Sequence, residues 1–159
     1  ADFESIGIAV QLEQIDAGIY FGGEVGNEQN INHMYWDISM YTNNPVSPIP
    51  TTFFTSWYAG PDGENIAQAS NDWQGQNFQR YNNPDFDALY DELLTMTDAE
   101  QAYQQLIAMN DVLINDVVII PQVNRAADVY AISNNLRDEN IAEGAFELNY
   151  WNIGNWNRP

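Results

Sequence analysis

Residues 81–121 read YNNPDFDALYDELLTMTDAEQAYQQLIAMNDVLINDVVIIP, and this stretch predicts two helices followed by a strand. Asn83 is a good N-cap residue, and Pro84 suits the first helical position because its ring fixes a helical φ. A second helix start follows at Thr97, where Thr-Asp-Ala-Glu has the pattern of a capping box. The β-branched run at 117–120 ends at a proline and is typical of a buried strand. These signals together indicate a helix-helix-strand unit.

Apolar residues recur at helical spacing in both predicted helices, so each helix is expected to bury one face. The first stripe consists of Phe86, Leu89, Tyr90, Leu93 and Leu94. The second stripe consists of Ala99, Tyr103, Leu106, Met109 or Asn110, and Leu113. Two amphipathic helices joined by a short break are expected to pack against each other along these stripes.

Other segments predict strands and one further helix. Residues 6–13 alternate apolar and polar side chains, as a strand with one wet face does. Residues 34–41 are rich in aromatic residues and stop at a turn-forming Thr-Asn-Asn-Pro cluster. A further strand, or a hairpin around Arg125, is predicted within 122–133. A last strand is predicted at 146–153, and a short helix within 51–58. Interleaved helices and strands predict an α/β fold with a mixed sheet flanked by helices, in a single domain spanning residues 1–159.

The composition excludes several classes of function. Among 159 residues, 23 are acidic and four are basic, which gives a formal net charge of -19. Binding to nucleic acid or to an anionic membrane surface needs cations that neutralise phosphate, so neither partner is expected. The absence of cysteine excludes disulfides and thiolate metal sites. No uninterrupted apolar run reaches about 18 residues, so the sequence predicts no membrane span.

Catalytic and metal-binding patterns are weak in this sequence. His33 is the single histidine, and no Gly-x-Ser-x-Gly elbow accompanies it, so a Ser-His-Asp triad is not predicted. Carboxylate pairs are available among 23 acids, but none stands out. The acidic residues near 85–92 are explained by the positive end of a helix dipole. We predict no catalytic residue, no metal and no cofactor, while a secreted carboxylate-dependent hydrolase and a structural or adhesive surface domain stay open as alternatives.

The order of motifs resembles the C-terminal lobe of extracytoplasmic solute-binding proteins that serve ABC importers of oligopeptides, dipeptides and nickel. The resemblance rests first on a Tyr-x-Asn-Pro-x-Phe-Asp-x-Leu run formed by Tyr81, Asn83, Pro84, Phe86, Asp87 and Leu89. The Thr97-Asp98 helix start and the Val-Val-Ile-Ile-Pro segment follow at similar spacing. Further similar positions are Ile6 to Val10, Trp36-Asp37, Asn149 to Ile153 and Trp156. The similarity covers nearly the whole chain.

The resemblance implies a lobe of the type II periplasmic-binding-protein kind within a larger two-lobed protein. That protein would lie outside the cytoplasm, anchored to a membrane, and would close about a hinge on a ligand before delivering it to ABC transporter membrane subunits. Its partners would be its own N-terminal lobe and a peptide or other small polar solute such as an oligosaccharide. The implied ligand wall comprises Tyr35, Met40, Tyr41, Thr42, Asn43 and Asn44.

The implied wall departs from the pattern of the peptide binders, which carry an acidic residue, and in some members an arginine, near this turn. Residues 40–48 read MYTNNPVSP and contain neither aspartate nor arginine. Amides and a phenol replace a charged anchor, and such groups suit a neutral polar ligand. Peptide and sugar are therefore both retained as ligand classes.

Overall fold

The computed structural model describes residues 2–43, 47, 49–119, 135 and 153–155, which form short helices, turns and one longer helix pair. The α-helices are α1 (Asp2–Ser5), α2 (Ala17–Tyr20), α3 (Thr51–Phe54), α4 (Pro84–Leu93) and α5 (Ala99–Asn115). Short 3-10 helices lie at Thr55–Trp57, Pro61–Gly63, Ala69–Asn71 and Ile153–Asn155. The predicted short helix within 51–58 is confirmed as α3 and the 3-10 turn that continues it.

The two predicted long helices are confirmed as α4 and α5. Asn83 caps α4, because its side-chain oxygen accepts hydrogen bonds from the backbone N–H of Asp85 at 2.9 Å and of Phe86 at 3.4 Å. The predicted cap of α5 at Thr97 is wrong by one residue. Asp98 is the N-cap, and its carboxylate accepts from the Gln101 N–H at 2.9 Å. A carboxylate at this position also interacts favourably with the helix dipole.

The core lies where α4 and α5 pack together and against the short helix before them. Its buried members are Phe54, Trp57, Phe86, Tyr90, Leu93, Ala102, Leu106, Met109 and Leu113. The predicted stripe of α5 is wrong at its start, since Ala99 and Tyr103 are exposed and Ala102 is buried instead. The buried positions 102, 106, 109 and 113 are three or four residues apart and therefore lie on one face of α5.

The predicted α/β fold with a mixed sheet is wrong for the described residues, which contain no strand. Pairing of extended backbone there is limited to an isolated parallel bridge between Ile66 and Asn77. The side chains of Ile6 and Leu12 are 71% and 88% exposed, so the alternating segment faces solvent instead of a core. A strand is stabilised by a neighbouring strand and a buried face, and alternation in the sequence supplies neither. The predictions at residues 120, 122–133, 146–152 and 156 lie outside the described residues.

Over its described residues, 117–119, the predicted strand is absent for a local reason. Val117 donates its N–H to the Ile114 carbonyl at 3.1 Å, and Val118 donates to the Leu113 carbonyl at 3.0 Å. This pair of bonds is a Schellman motif, which satisfies the last carbonyls of a helix. The motif places Val117 in the left-handed region at φ 56°, a position that glycine usually fills. These residues therefore end α5 instead of starting a strand.

Asparagine side chains order the segment at 59–79, which joins the short helix to α4. Asn77 is fully buried and donates its amide to the carbonyls of Tyr58 at 3.3 Å and of Tyr81 at 2.7 Å. Asn65 donates to the carbonyls of Thr55 at 2.9 Å and of Tyr58 at 2.7 Å. Gly75 passes so close to Asn65 that a Cβ there would collide with the Asn65 carbonyl oxygen. The loop is thus tied to the helical core by amide groups.

Candidate functional site

The predicted ligand wall lies on the surface, in irregular backbone between α2 and α3. Tyr35 is 61% exposed, Met40 is 83% exposed and Tyr41 is 37% exposed. Thr42 and Asn43 are also exposed, whereas Asn44 lies outside the described residues. The described wall residues are accessible to a ligand and carry no charge.

Tyr41 belongs to an aromatic group that we call the Tyr20 cluster, comprising Tyr20, Phe21, Trp36 and Tyr41. The Tyr20 ring lies 4.9 Å from Phe21, 5.6 Å from Trp36 and 6.1 Å from Tyr41, measured between ring centroids. The Tyr20 hydroxyl is hydrogen-bonded to the Ser39 hydroxyl. Burial raises the pKa of Tyr41, and the neighbouring Tyr20 adds to the effect. Ring faces beside neutral hydroxyls suit an uncharged polar ligand.

The Tyr20 cluster is positioned by α2 and the turn that follows it. Asp16 caps α2 by accepting from the Gly18 N–H at 2.8 Å. The N–H of Ile31 donates to the Tyr20 carbonyl at 2.9 Å. Asn27 and Asn30 both donate to the Gly22 carbonyl, at 2.9 Å and 2.6 Å. Amide side chains therefore fold the glycine-rich segment at 18–26 back on itself, and Tyr20 lies beside Trp36 and Tyr41.

Tyr35 lies in a second group, the Trp73 cluster, comprising His33, Tyr35, Trp73 and Arg80. The rings of His33 and Tyr35 are stacked at 5.4 Å with 9° between their planes. Trp73 meets both rings edge-on, at 4.6 Å from His33 and 5.7 Å from Tyr35. The Arg80 guanidinium carbon lies 5.5 Å from the Trp73 ring centroid. The adjacent residues Tyr35 and Trp36 thus serve two different clusters.

The structure therefore divides the predicted wall. Tyr41 packs in the Tyr20 cluster and Tyr35 in the Trp73 cluster, while Met40 extends into solvent. The sequence-based list missed Tyr20, Phe21, Trp73 and Arg80. The resemblance limited the predicted wall to residues 35–44. It gave no sign that residue 73 lies beside residue 33, a contact supported by the Asn32 amide donating to the Trp73 carbonyl at 3.0 Å.

An acidic groove of about 620 Å³ lies between the Pro61–Gly63 turn and the first half of α4. Its carboxyl groups come from Asp62, Asp87 and Asp91. The Tyr58 hydroxyl donates to Asp91 at 2.8 Å, and this bond, with burial, raises the pKa of Tyr58 to about 12. Within the described part of the chain, no group of three acidic or imidazole side chains is arranged to hold a metal ion.

Asp87 in this groove anchors the backbone. Its carboxylate accepts from the Ala59 N–H at 3.0 Å and also from the Gly60 N–H. Burial raises the pKa of Asp87 despite these two bonds, which act in the opposite direction. The sequence explained Asp87 as a helix-start residue, and the structure adds that it joins α4 to the turn after Trp57. An acceptor engaged by two main-chain donors fits a structural role.

Comparison of the chain with protein-family models, with curated proteins and with solved structures gives no significant match. The resemblance to solute-binding proteins consequently rests on the order and spacing of the motifs alone. Among the described residues, none of the helices combines the length and the apolar character needed to cross a membrane.

Proposed function

We propose that this chain is the ligand-binding part of an extracytoplasmic solute-binding protein, which closes on a peptide or other small polar solute and delivers it to an ABC importer. The observation that carries this proposal is the exposure of Tyr35, Met40, Tyr41, Thr42 and Asn43 next to two aromatic clusters. These side chains are exposed and uncharged, and two of them belong to aromatic clusters. Binding sites combine such aromatic area with a few polar groups that orient the ligand.

A second observation supports a larger protein around this chain. Many large apolar side chains of residues 6–40 are exposed, including Ile6, Ile8, Val10, Leu12, Val25, Ile38 and Met40. Extensive exposed apolar surface marks a site of contact with other protein or with ligand. An N-terminal lobe of the same protein would cover part of this surface. The ligand would then favour the closed form by contacting both sides of the cleft.

The alternative of a carboxylate-dependent hydrolase has one observation in its favour. Asp87 has a raised pKa and lines the acidic groove, and catalytic acids have raised pKa values. Its two hydrogen bonds from backbone N–H groups favour the anchoring role instead, because they hold the carboxylate as an acceptor.

Calorimetry on the longer two-lobed protein tests the proposal. We expect saturable heat from a peptide library or from an oligosaccharide library, and a smaller radius of gyration in solution scattering when the ligand is bound. The Tyr41→Ala variant is expected to lose roughly tenfold in affinity, since truncating an interface aromatic often costs more than about 1 kcal/mol. Tyr103→Ala is the matched control, because Tyr103 is 40% exposed and Tyr41 is 37% exposed.

The outcomes separate the alternatives. Absence of heat from both libraries would contradict the proposed function, and so would equal losses in the two tyrosine variants. Sustained heat from turnover, instead of saturable heat from binding, would identify the hydrolase.

A further inference from the structure

The Trp73 cluster presents a flat aromatic face to solvent. Tyr35 stacks on His33 and is held from the side by the Trp73 ring, so its orientation is fixed although 61% of the residue is exposed. The face of an aromatic ring is electron-rich, and the C–H groups of a sugar ring are weakly positive, so the two surfaces attract each other. A fixed flat face suits a ring-shaped ligand, whereas a peptide side chain is held better by a walled pocket.

Arg80 supplies a cation at the side of this face. Its guanidinium donates to the carbonyls of His33 at 2.6 Å and of Met34 at 3.4 Å, which leaves three of its five N–H donors for another acceptor. Arg80 is exposed and forms no ion pair with any carboxylate among the described residues. In a chain with 23 acidic residues, an arginine that pairs with none of those described is available for an anionic ligand.

Backbone strain is concentrated at the same place. Of the six non-glycine residues with positive φ in the described part of the chain, four are Met34, Asp72, Trp73 and Arg80. Their φ values are 39°, 53°, 59° and 56°. Left-handed backbone at such residues is unfavourable and collects where a binding surface requires it. The four residues belong to the Trp73 cluster or adjoin it in sequence, so the strain coincides with the aromatic face and the arginine.

One buried polar atom of the cluster, Nδ1 of His33, lacks a hydrogen-bond partner. The nearest carboxylate oxygen to the His33 atom, from Glu28, is 3.9 Å away, too far for a hydrogen bond. Buried polar groups without partners are rare, and each calls for an explanation.

We propose that the Trp73 cluster binds a sugar ring that carries a carboxylate, as in an oligosaccharide of uronic acids. The sugar ring stacks on Tyr35, and Arg80 donates to the carboxylate. This inference rests on the proposed function and names the ligand class for one part of its surface. It also assigns Trp73 and Arg80 to the site, which the resemblance did not include.

Calorimetric titration of the protein with trigalacturonate, and with its methyl ester, tests the inference. The two probes have the same sugar rings and differ in charge. The comparison therefore tests the role of the carboxylate without any change to the protein. We expect the acid to bind at least about tenfold more tightly than the ester, in keeping with a charge-assisted hydrogen bond. In Arg80→Gln the affinity for the acid is expected to fall to that for the ester, while the affinity for the ester stays the same.

Variants of Tyr35 test the stacking part. Tyr35→Phe is expected to keep the affinity of both probes within about twofold, because the ring remains, whereas Tyr35→Ala is expected to weaken both probes about tenfold. Equal affinities for acid and ester would overturn the inference. So would a preference for the acid that persists in Arg80→Gln, or an unchanged affinity in Tyr35→Ala.

The controls distinguish this inference from the proposed function. If a neutral oligosaccharide or a peptide closes the protein but trigalacturonate does not bind, the inference fails and the function stands. If trigalacturonate binds with the expected preference but no solute closes the two lobes, the transport function fails and the inference stands. Thermal unfolding of Arg80→Gln, measured beside the parent protein, shows whether the loop keeps its fold without the arginine.

Discussion

The helix pair at residues 83–116 and the N-terminal region at residues 2–43 are stabilised in different ways. In the helix pair, both helices are capped and four side chains of α5 are buried against α4. In the N-terminal region, the two helices have four residues each and bury no side chain. Its hydrogen bonds are mostly between residues close in sequence, such as Asn27 to the Gly22 carbonyl at 2.9 Å.

This difference shows which sequence signals are sufficient by themselves to specify a stable element of structure. A cap and a helical stripe specify a helix locally, and two such helices in succession can bury each other. An alternating segment needs a partner strand that is distant in sequence, and its apolar side chains stay exposed until one is supplied. The helix pair is therefore expected to be the stable unit of this chain.

The largest expected effect comes from one leucine substitution made in both regions. Leu113→Ala removes a fully buried side chain of α5, and Leu12→Ala removes one that is 88% exposed. We expect Leu113→Ala to lower the free energy of unfolding by about 2–5 kcal/mol, since it leaves a cavity. Leu12→Ala is expected to change it by less than about 0.5 kcal/mol. Urea denaturation followed by circular dichroism measures both, and equal losses would contradict the comparison.

A smaller contrast is expected between the two helix caps. Asn83→Ala removes the oxygen that caps α4 and is expected to cost about 1–2 kcal/mol. Asp16→Ala removes the cap of α2, a helix that buries no side chain, so its loss is expected to be below about 0.5 kcal/mol. Thermal unfolding followed by circular dichroism, at a wavelength that reports helix content, compares the two variants. A large loss in Asp16→Ala would show that the N-terminal region contributes to the cooperative unit.

The sequence predicted the helix pair well because its signals are local. Asn83, Pro84 and the apolar spacing from Phe86 to Leu93 are reproduced in α4, whereas Leu94 of the predicted stripe follows the helix and is 58% exposed. The predicted strands that fall within the described residues are absent because the stability of a strand depends on partners that periodicity does not identify. Val117 gives a second reason. The β-branched run follows α5 directly, and its first two residues donate the hydrogen bonds that end the helix. The left-handed backbone of Val117 contradicts the residue's own preference, so no propensity rule would have found it.

The candidate site was predicted only in part. Tyr35 and Tyr41 were identified through the resemblance, and the structure places each in an aromatic cluster. Trp73 and Arg80 were missed because they lie about forty residues further along the chain, within a loop whose folding depends on asparagine side chains. Contacts of this kind arise from tertiary structure, and a single sequence carries no periodic signal for them.

The smallest expected effect concerns the link between the two ends of the helix pair. The Tyr81 hydroxyl donates to Asp116 at the end of α5 at 2.5 Å, and the Asn83 amide donates to the same carboxylate at 3.0 Å. Burial and the bond to Asp116 raise the pKa of Tyr81 to about 12, from an ordinary value of 10.0. The bond from Tyr81, followed by that from Asn83, lowers the pKa of Asp116.

These two pKa shifts predict that the free energy of unfolding decreases at both alkaline and acid pH. Because the pKa of Tyr81 is higher in the folded state, its contribution is complete below pH 10 and is lost as the pH rises towards 12. Because the pKa of Asp116 is lower in the folded state, its contribution is present above its ordinary pKa of 3.8 and is lost as the pH falls through the folded value. We expect Tyr81→Phe to flatten both limbs of the stability profile, as measured by urea denaturation at successive pH values. Tyr103→Phe alters an exposed tyrosine of α5 and should leave both limbs unchanged. If the alkaline limb of Tyr81→Phe were as steep as that of the parent protein, the link between the helix ends would not stabilise the pair.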